Sequence, residues 1–292
     1  MSIHMPVLAG EIKVLLNLKE GDIAIDATLG AGGHAREMLV AVGNSGRMLA
    51  IEQDEEMIKM FGKAPQNLTI ENANFRNIDE LAAKNGFTGA GAILFDLGIS
   101  RWHYTESGRG FTFGNPDEPL IMNLDTASEV SAASILNSMD EKGLAEMFTE
   151  LGEISPDVSR RLAREIVNAR KRRKFIKVGD LLEVAGKVML KRRGKIHEAT
   201  KIFQALRIKV NEELENLNVA EKKAFEILAP GGRLAIISFH SLEDRIIKNY
   251  FRELAKDGKA VILTKKPVTA QREEILKNPS ARSAKLRVIE KT

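Results

Sequence analysis

The chain has no cysteine in its 292 residues. That removes disulfides, thiolate metal sites and cysteine nucleophiles together, and it fits a reducing compartment. It also lacks any apolar run near the ~20 residues needed to cross a bilayer. Its first twenty residues, MSIHMPVLAGEIKVLLNLKE, set acids inside the apolar stretch with no cationic segment ahead of it. Neither a membrane partner nor a signal peptide is expected from this pattern, and no internal repeat is visible. What is present suits a folded protein. Hydrophobic residues make up 43% and charged residues 29%, enough to bury a core and too balanced for compositional disorder. The length admits one large domain or two unequal ones.

The net charge of +4 is unevenly spread. Residues 157–201 hold fifteen Lys or Arg against five Asp or Glu, a local +10 that leaves −6 for the rest. Such a segment suits a polyanionic partner. It suits equally a solvated helical face laced with ion pairs.

Along the first hundred residues, short β-like runs alternate with helical ones. Residues 22–26 (DIAID), 47–52 (RMLAIE), 68–71 and 91–96 (GAILFD) read as strands, with helical stretches over 34–42 and 55–61. Strands interleaved with helices predict a parallel sheet built from right-handed βαβ units. Residues 97–119, rich in Gly, Pro and aromatics, read as a long ordered loop. From 127 to about 217 the pattern is helical. Ser155-Pro156 has N-cap and N1 chemistry, Val158, Leu162 and Ile166 repeat every fourth residue, and Ile202, Leu206, Val210, Leu214 and Leu217 form a second stripe. Sheet character returns at 232–239 (GRLAIISF), introduced by the turn Pro230-Gly231-Gly232, and again at 260–264 and 285–289. The expected layout is an α/β domain of residues 1–105 and 215–292, interrupted by a helical module over 106–214.

The sharpest local signal is Asp26-Ala-Thr-Leu-Gly30-Ala-Gly32-Gly33-His34-Ala35, set between a strand and a helix. Bare backbone N–H groups and the helix dipole can face a ligand there, and glycine lets that ligand approach the main chain. A side chain at Gly33 is expected to fill space the ligand needs. Glu52 ends the next strand, where a carboxylate can accept both hydroxyls of a ribose. The pattern Gly30-x-Gly32-x-x-Ala35 with an acid about 20 residues on also satisfies a dinucleotide fingerprint, and a bare glycine turn would look the same. Two features favour S-adenosylmethionine. Asp26 would repel a pyrophosphate but could hold the ammonium of a methionine moiety. His34 and Arg36 are polar where a dinucleotide enzyme packs its helix on the sheet.

Asp96 closes the fourth strand within Asp96-Leu97-Gly98-Ile99-Ser100, so Asp26, Glu52 and Asp96 are expected along one rim at the carboxyl ends of the strands. A carboxylate here could accept a hydrogen bond from an exocyclic amine whose lone pair is conjugated into its ring. Asp96 is the candidate catalytic group, or else contacts only the cofactor. In the following loop, Arg109 and Phe111 of Gly108-Arg109-Gly110-Phe111-Thr112-Phe113 suit a splayed-out base held through its phosphate, or simply a small loop core. Ser238-Phe239-His240-Ser241-Leu242-Glu243-Asp244 holds Ser, His and Asp, but all within one turn and without a G-x-S-x-G elbow, which argues against a hydrolase triad. Ser241 reads as an N-cap with Asp244 at N3. Ser238 and His240 remain candidate substrate contacts, and no metal ligand set is assigned.

The segments DATLGAGGHA (26–35), DLGIS (96–100), RGFTF (109–113), FQALRIKVNEEL (203–214), PGGRLAIISFHSLEDRIIK (230–248) and NPSARSAKLR (278–287) resemble, in order, the blocks of the RsmH/MraW family of 16S ribosomal RNA cytidine N4-methyltransferases. The resemblance implies a class I methyltransferase sheet, Rossmann-like and mostly parallel, with a helical RNA-binding insertion between its fourth and fifth strands. It also implies bound S-adenosyl-L-methionine, 16S rRNA of the small ribosomal subunit as partner, and a cytoplasmic location, and it leaves monomer or dimer open. Matched by position, Gly32, Gly33 and His34 should contact the methionine end of the cofactor, Glu52 the ribose and Phe75 the adenine, while Asp96 and His103 complete the pocket. Glu52 stands where the family usually has Asp, and Ser100-Arg101-Trp102-His103 replaces a Ser-Ser-Pro-Gln run. Residues 117–125 and 152–154 also depart from the family's blocks. A non-catalytic RNA-binding protein of the same fold and a nicotinamide-dependent oxidoreductase are the two competing readings.

Overall fold

The computed structural model describes residues 6–188 and 198–292. The chain forms two compact units, one of Met1–Ile99 with Leu214–Thr292 and the other of Ser100–Glu213. The short helix Arg101–Thr105, grouped with the α/β region in the sequence reading, belongs to the second unit.

The first unit is built on a sheet of seven strands: β1 (Ile23–Asp26), β2 (Arg47–Glu52), β3 (Leu68–Asn72), β4 (Ala90–Asp96), β5 (Leu228–Ser238), β6 (Ala260–Ile262) and β7 (Lys285–Lys291). Their spatial order is β3-β2-β1-β4-β5-β7-β6. The first five run parallel, β7 pairs antiparallel with β5, and β6 antiparallel with β7. The near-continuous apolar runs of β1, β2 and β4 follow from burial on both faces. Ile25, Leu49, Ile51, Ile93, Phe95 and Ile236 join one core cluster with Ile78, Leu217, Phe225, Ile247 and Phe251. Their neighbours Ala24, Met48, Ala50, Ala92, Leu94 and Ala235 join the other, with Ile12, Met38 and Val42. A one-residue slip would exchange these two sets, so the register is firmly fixed.

Two local expectations change. Pro230-Gly231-Gly232 does not precede β5 but bulges out of it. Leu228 already pairs with Ala90, and pairing resumes only at Arg233 opposite Ala92, with Gly231 at φ +76° in between. The cap of the helix Ser241–Lys256 is His240 rather than Ser241. Asp244, no longer needed at the cap, pairs with Arg287 at 2.7 Å and Lys285 at 3.3 Å, tying the helix to β7.

The second unit contains the helices Ala132–Ser138, Glu141–Glu150, Pro156–Arg170, Val178–Val188 and Glu198–Asn211 besides Arg101–Thr105, so 97–119 is not all loop. Leu162 and Ile166 are fully buried, as their spacing predicts. Ser155 caps its helix without a side-chain bond, leaving Pro156 at the first turn as the sequence signal that holds. The second apolar stripe is broken at Glu212, which takes φ +49° and divides Glu198–Asn211 from the helix Glu213–Ile227.

Part of the basic segment, residues 189–197 with Lys191, Arg192, Arg193 and Lys195, lies outside the described residues. Of the rest, Arg160, Arg164, Arg173, Lys177 and Lys187 pair with Asp157, Glu141, Asp180, Asp117 and Glu183. Lys171, Arg172 and Lys174 are exposed on one turn with no ion pair among the described residues, and Ile176 beside them is 67% exposed. Among the described residues no helix is long and apolar enough to cross a membrane.

Candidate active site

The register of the first unit sets its acids in a row. Asp26 pairs across to Ala50 and Leu94, Glu52 to Asn72 and Asp96 to Ile237, so all three close their strands at the same edge of the sheet. Thr28 joins two of them. Its N–H and hydroxyl donate to Asp26 Oδ1 at 3.0 and 3.5 Å, and its Oγ1 accepts from the Asp96 N–H at 2.6 Å. Glu52 fixes the turn between them, accepting from the backbone N–H of Gly30 and of Asp54, both at 2.8 Å.

The turn itself depends on glycine. Gly30 and Gly32 lie at φ +50° and +79°, where side chains are strained. A Cβ on Gly32 would also stand 2.2 Å from Phe61, whose ring carries the Arg36 guanidinium at 4.2 Å from its centroid. Arg36 and Phe61 therefore clamp the turn, a role the sequence pattern did not show. At Gly30 an added Cβ would meet only the Thr28 carbonyl oxygen, at an ordinary contact distance of 3.9 Å. Gly33 behaves otherwise. Its missing Cβ points at Pro6, 3.0 Å off. The expectation that a Gly33 side chain would fill ligand space is therefore replaced by a packing constraint on the N-terminal segment. The helix Gly33–Val42 begins with no side-chain cap, leaving the positive end of its dipole uncompensated by side chains.

Burial governs the electrostatics. Desolvation pushes Asp96 up to about 8, with Asp26 and then Glu243 adding to it. It pushes Glu52 up to about 7 against the two backbone bonds that oppose the rise, and Asp26 up to about 6. His34, 5% exposed, is lowered by burial to about 4. Its Nε2 lies 3.6 Å from Asp96 Oδ2, too far for a hydrogen bond, and at neutral pH it carries no charge to offset the acids. Asp26 Oδ2 and Asp96 Oδ1 are buried with no hydrogen-bond partner among the described residues.

The other candidates are placed as follows. Phe75 opens the 3-10 turn Phe75–Asn77 just past β3, half-buried, with its ring edge-on to Phe95 at 5.6 Å. Ser238 ends β5, fully buried, with its hydroxyl donating to the Lys285 carbonyl at 3.4 Å. His240 caps the next helix. Its Nδ1 accepts from the Glu243 N–H at 3.4 Å, and its Nε2 lies 3.2 Å from Glu243 Oε1. Glu243 is 2% exposed and accepts from the Phe239 and His240 N–H groups. Its spacing of three from His240 is the capping-box signal that would have found it.

Three candidates belong to the second unit. His103 is buried and completes a capping box with Ser100, whose Oγ and N lie 2.9 and 3.1 Å from its Nδ1. Its ring packs on Trp102 and on Phe111, both at 5.3 Å. Arg109 is 8% exposed, gives hydrogen bonds to the Asn123 and Leu124 carbonyls at 3.2 and 3.4 Å, and stacks on Trp102. Phe111 is 4% exposed. All three are core groups of their loop, already partnered.

An acid rim and a glycine turn on a sheet of this order, with its antiparallel β7, define a class I methyltransferase. The chain matches the MraW methylase family model over residues 1–292 and belongs to that family. It is similar to the ribosomal RNA small subunit methyltransferase H of Dictyoglomus thermophilum, 44% identical over 99% of this chain and 97% of that protein. Proteins of the same name from Phocaeicola vulgatus and Bradyrhizobium diazoefficiens are 38% and 39% identical, each over 99% of this chain and over 97% and 92% of their own lengths.

Proposed function

We propose that this protein transfers a methyl group from S-adenosylmethionine to the N4 amine of a cytidine in 16S rRNA of the small ribosomal subunit, in the cytoplasm. The observation that carries the reading is the row of Asp26, Glu52 and Asp96 at one sheet edge beside the Gly30–Gly32 turn. The names of the relatives support ribosomal RNA of the small subunit as the substrate, and the N4 amine of a cytidine is what the family resemblance implies.

The residues fit the cofactor on their own chemistry. Unpartnered oxygens of Asp26 and Asp96 call for a donor or a cation. Asp26 would hold the methionine ammonium, the backbone at Gly32, Gly33 and His34 its carboxylate, Glu52 the ribose and Phe75 the adenine face. When bound, S-adenosylmethionine supplies a methyl already activated for transfer. The task left to the protein is orientation. Asp96 Oδ1 accepts a hydrogen bond from the cytosine amine, drawing its lone pair out of ring conjugation. Because the ionised carboxylate is the stronger acceptor, activity is expected to rise with pH as Asp96 ionises. His240, just past the end of the neighbouring strand, flanks the base, while Ser238 anchors that strand end to Lys285. In the second unit, Lys171, Arg172 and Lys174 contact RNA phosphates, while Arg109 and Phe111 hold the shape of their own loop.

Incubation of the protein with tritiated S-adenosylmethionine and unmethylated small subunits, followed by nucleoside mass spectrometry, is expected to yield N4-methylcytidine. Retention of RNA with no transfer, to subunits or to naked rRNA, by protein shown to bind the cofactor would overturn the enzymatic reading.

A further inference from the structure

We propose that S-adenosylmethionine enters the acid rim by displacing protons from Asp26 and Asp96, and that this exchange makes the site favour the sulfonium donor over its neutral thioether product. The inference rests on the reading of this rim as the cofactor site.

Three carboxyl groups face one another here without a counter-cation. Glu52 answers from β2, Asp26 from β1 and Asp96 from β4, and Glu243, from the helix after β5, adds its charge at Asp96. From the helix Gly33–Val42 the titratable group facing Asp96 is His34, which burial keeps neutral. No lysine or arginine pairs with Asp26, Glu52 or Asp96 among the described residues. Backbone donors satisfy both oxygens of Glu52, whereas Asp26 Oδ2 and Asp96 Oδ1 are buried and unmet. A buried like-charge cluster with unmet oxygens lowers its energy by keeping protons. A cation supplies what is missing, and each proton then leaves a carboxyl oxygen for the buffer.

S-adenosylmethionine brings two cationic centres, the ammonium and the sulfonium; S-adenosylhomocysteine brings only the ammonium. The donor therefore expels more protons than the product. Its advantage grows as pH rises through the range in which these acids titrate, about 6 for Asp26 and about 8 for Asp96. After transfer the sulfonium charge is gone, the rim reprotonates, and the product is held less tightly.

Isothermal titration of the full chain at pH 7.5 in phosphate, HEPES and Tris, whose ionisation enthalpies differ, reads the protons directly. Binding heats for S-adenosylmethionine should vary with buffer to give net release, with a smaller release for S-adenosylhomocysteine. A difference of half a proton would raise the affinity ratio of donor to product about tenfold between pH 6.5 and 8.5. Asp96→Asn, checked for folding by its melting curve, should reduce the release. Buffer-independent heats with normal donor binding, or a ratio that does not change with pH, overturn the proposal and leave the cofactor site standing. Absence of any binding heat in all three buffers, with no thermal shift, overturns both.

Discussion

Gly32→Ala is the substitution whose effect the structure defines most closely. Its cost has two sources. A left-handed φ of +79° costs a β-carbon residue about 1–2 kcal/mol. The new methyl would also lie 2.2 Å from Phe61 Cδ2 and 2.5 Å from Cε2. Phe61 cannot swing aside freely, because it is 5% exposed, lies under Arg36, and its carbonyl accepts from Arg36 Nη2 at 3.0 Å. Overpacking of this kind adds about 1–3 kcal/mol, for a total of roughly 2–5 kcal/mol. The two sources separate in a double-mutant cycle with Phe61→Leu, measured by urea unfolding. The shorter side chain should remove most of the clash and none of the backbone strain, giving a favourable coupling of about 1–3 kcal/mol. Titration with S-adenosylmethionine should show affinity recovering in the double variant along with the turn. A loss below about 1 kcal/mol, or strictly additive single changes, would refute the idea that Phe61 clamps the turn.

Three further outcomes are expected. Glu221, 1% exposed with Oε2 unpartnered, is pushed by burial up to about 8 from an ordinary 4.5. Its burial therefore does not penalise the fold below pH 4.5 and increasingly destabilises it as pH rises toward 8, so the stability of Glu221→Gln relative to the parent should grow by about 1.4 kcal/mol per pH unit across pH 5–7.5 in urea titrations, and parallel curves would contradict this. Replacing Lys171, Arg172 and Lys174 by Gln should weaken RNA binding and flatten its dependence on log salt by about 2 units in a filter-binding series, since each lost phosphate contact removes about 0.7–0.9; an unchanged slope would place the RNA elsewhere. Asp180 accepts the Ile176 and Lys177 N–H groups and pairs with Arg173. Asp180→Ala should lower the unfolding free energy by about 1–2 kcal/mol through loss of these bonds to the backbone just ahead of the helix Val178–Val188, with the effect seen equally at low and high salt if the backbone bonds dominate.

Much of this molecule follows from chain-local chemistry. The alternation that buries Ile25, Leu49 and Ile93 on one face and Ala24, Met48 and Ala92 on the other is written in consecutive residues, so the strands, the doubly covered sheet and the strand-end positions of Asp26, Glu52 and Asp96 are legible without coordinates. So is the glycine turn, because positive φ and close approach leave few alternatives to glycine. Tertiary structure decided what those residues touch. Gly33 faces Pro6 and Gly32 faces Phe61, contacts between segments far apart in sequence that no spacing rule encodes. His240 displaced Ser241 as a cap, and Asp244 went instead to Arg287 on β7. Arg109 and His103, read from sequence as candidate substrate and cofactor contacts, are held inside their loop by carbonyls and aromatic rings that only folding assembles. Most of all, the protonation of the rim belongs to the fold. A carboxylate in the sequence is simply acidic; three of them brought together and largely withdrawn from water, with no lysine or arginine paired to them among the described residues, are pushed upward toward neutrality.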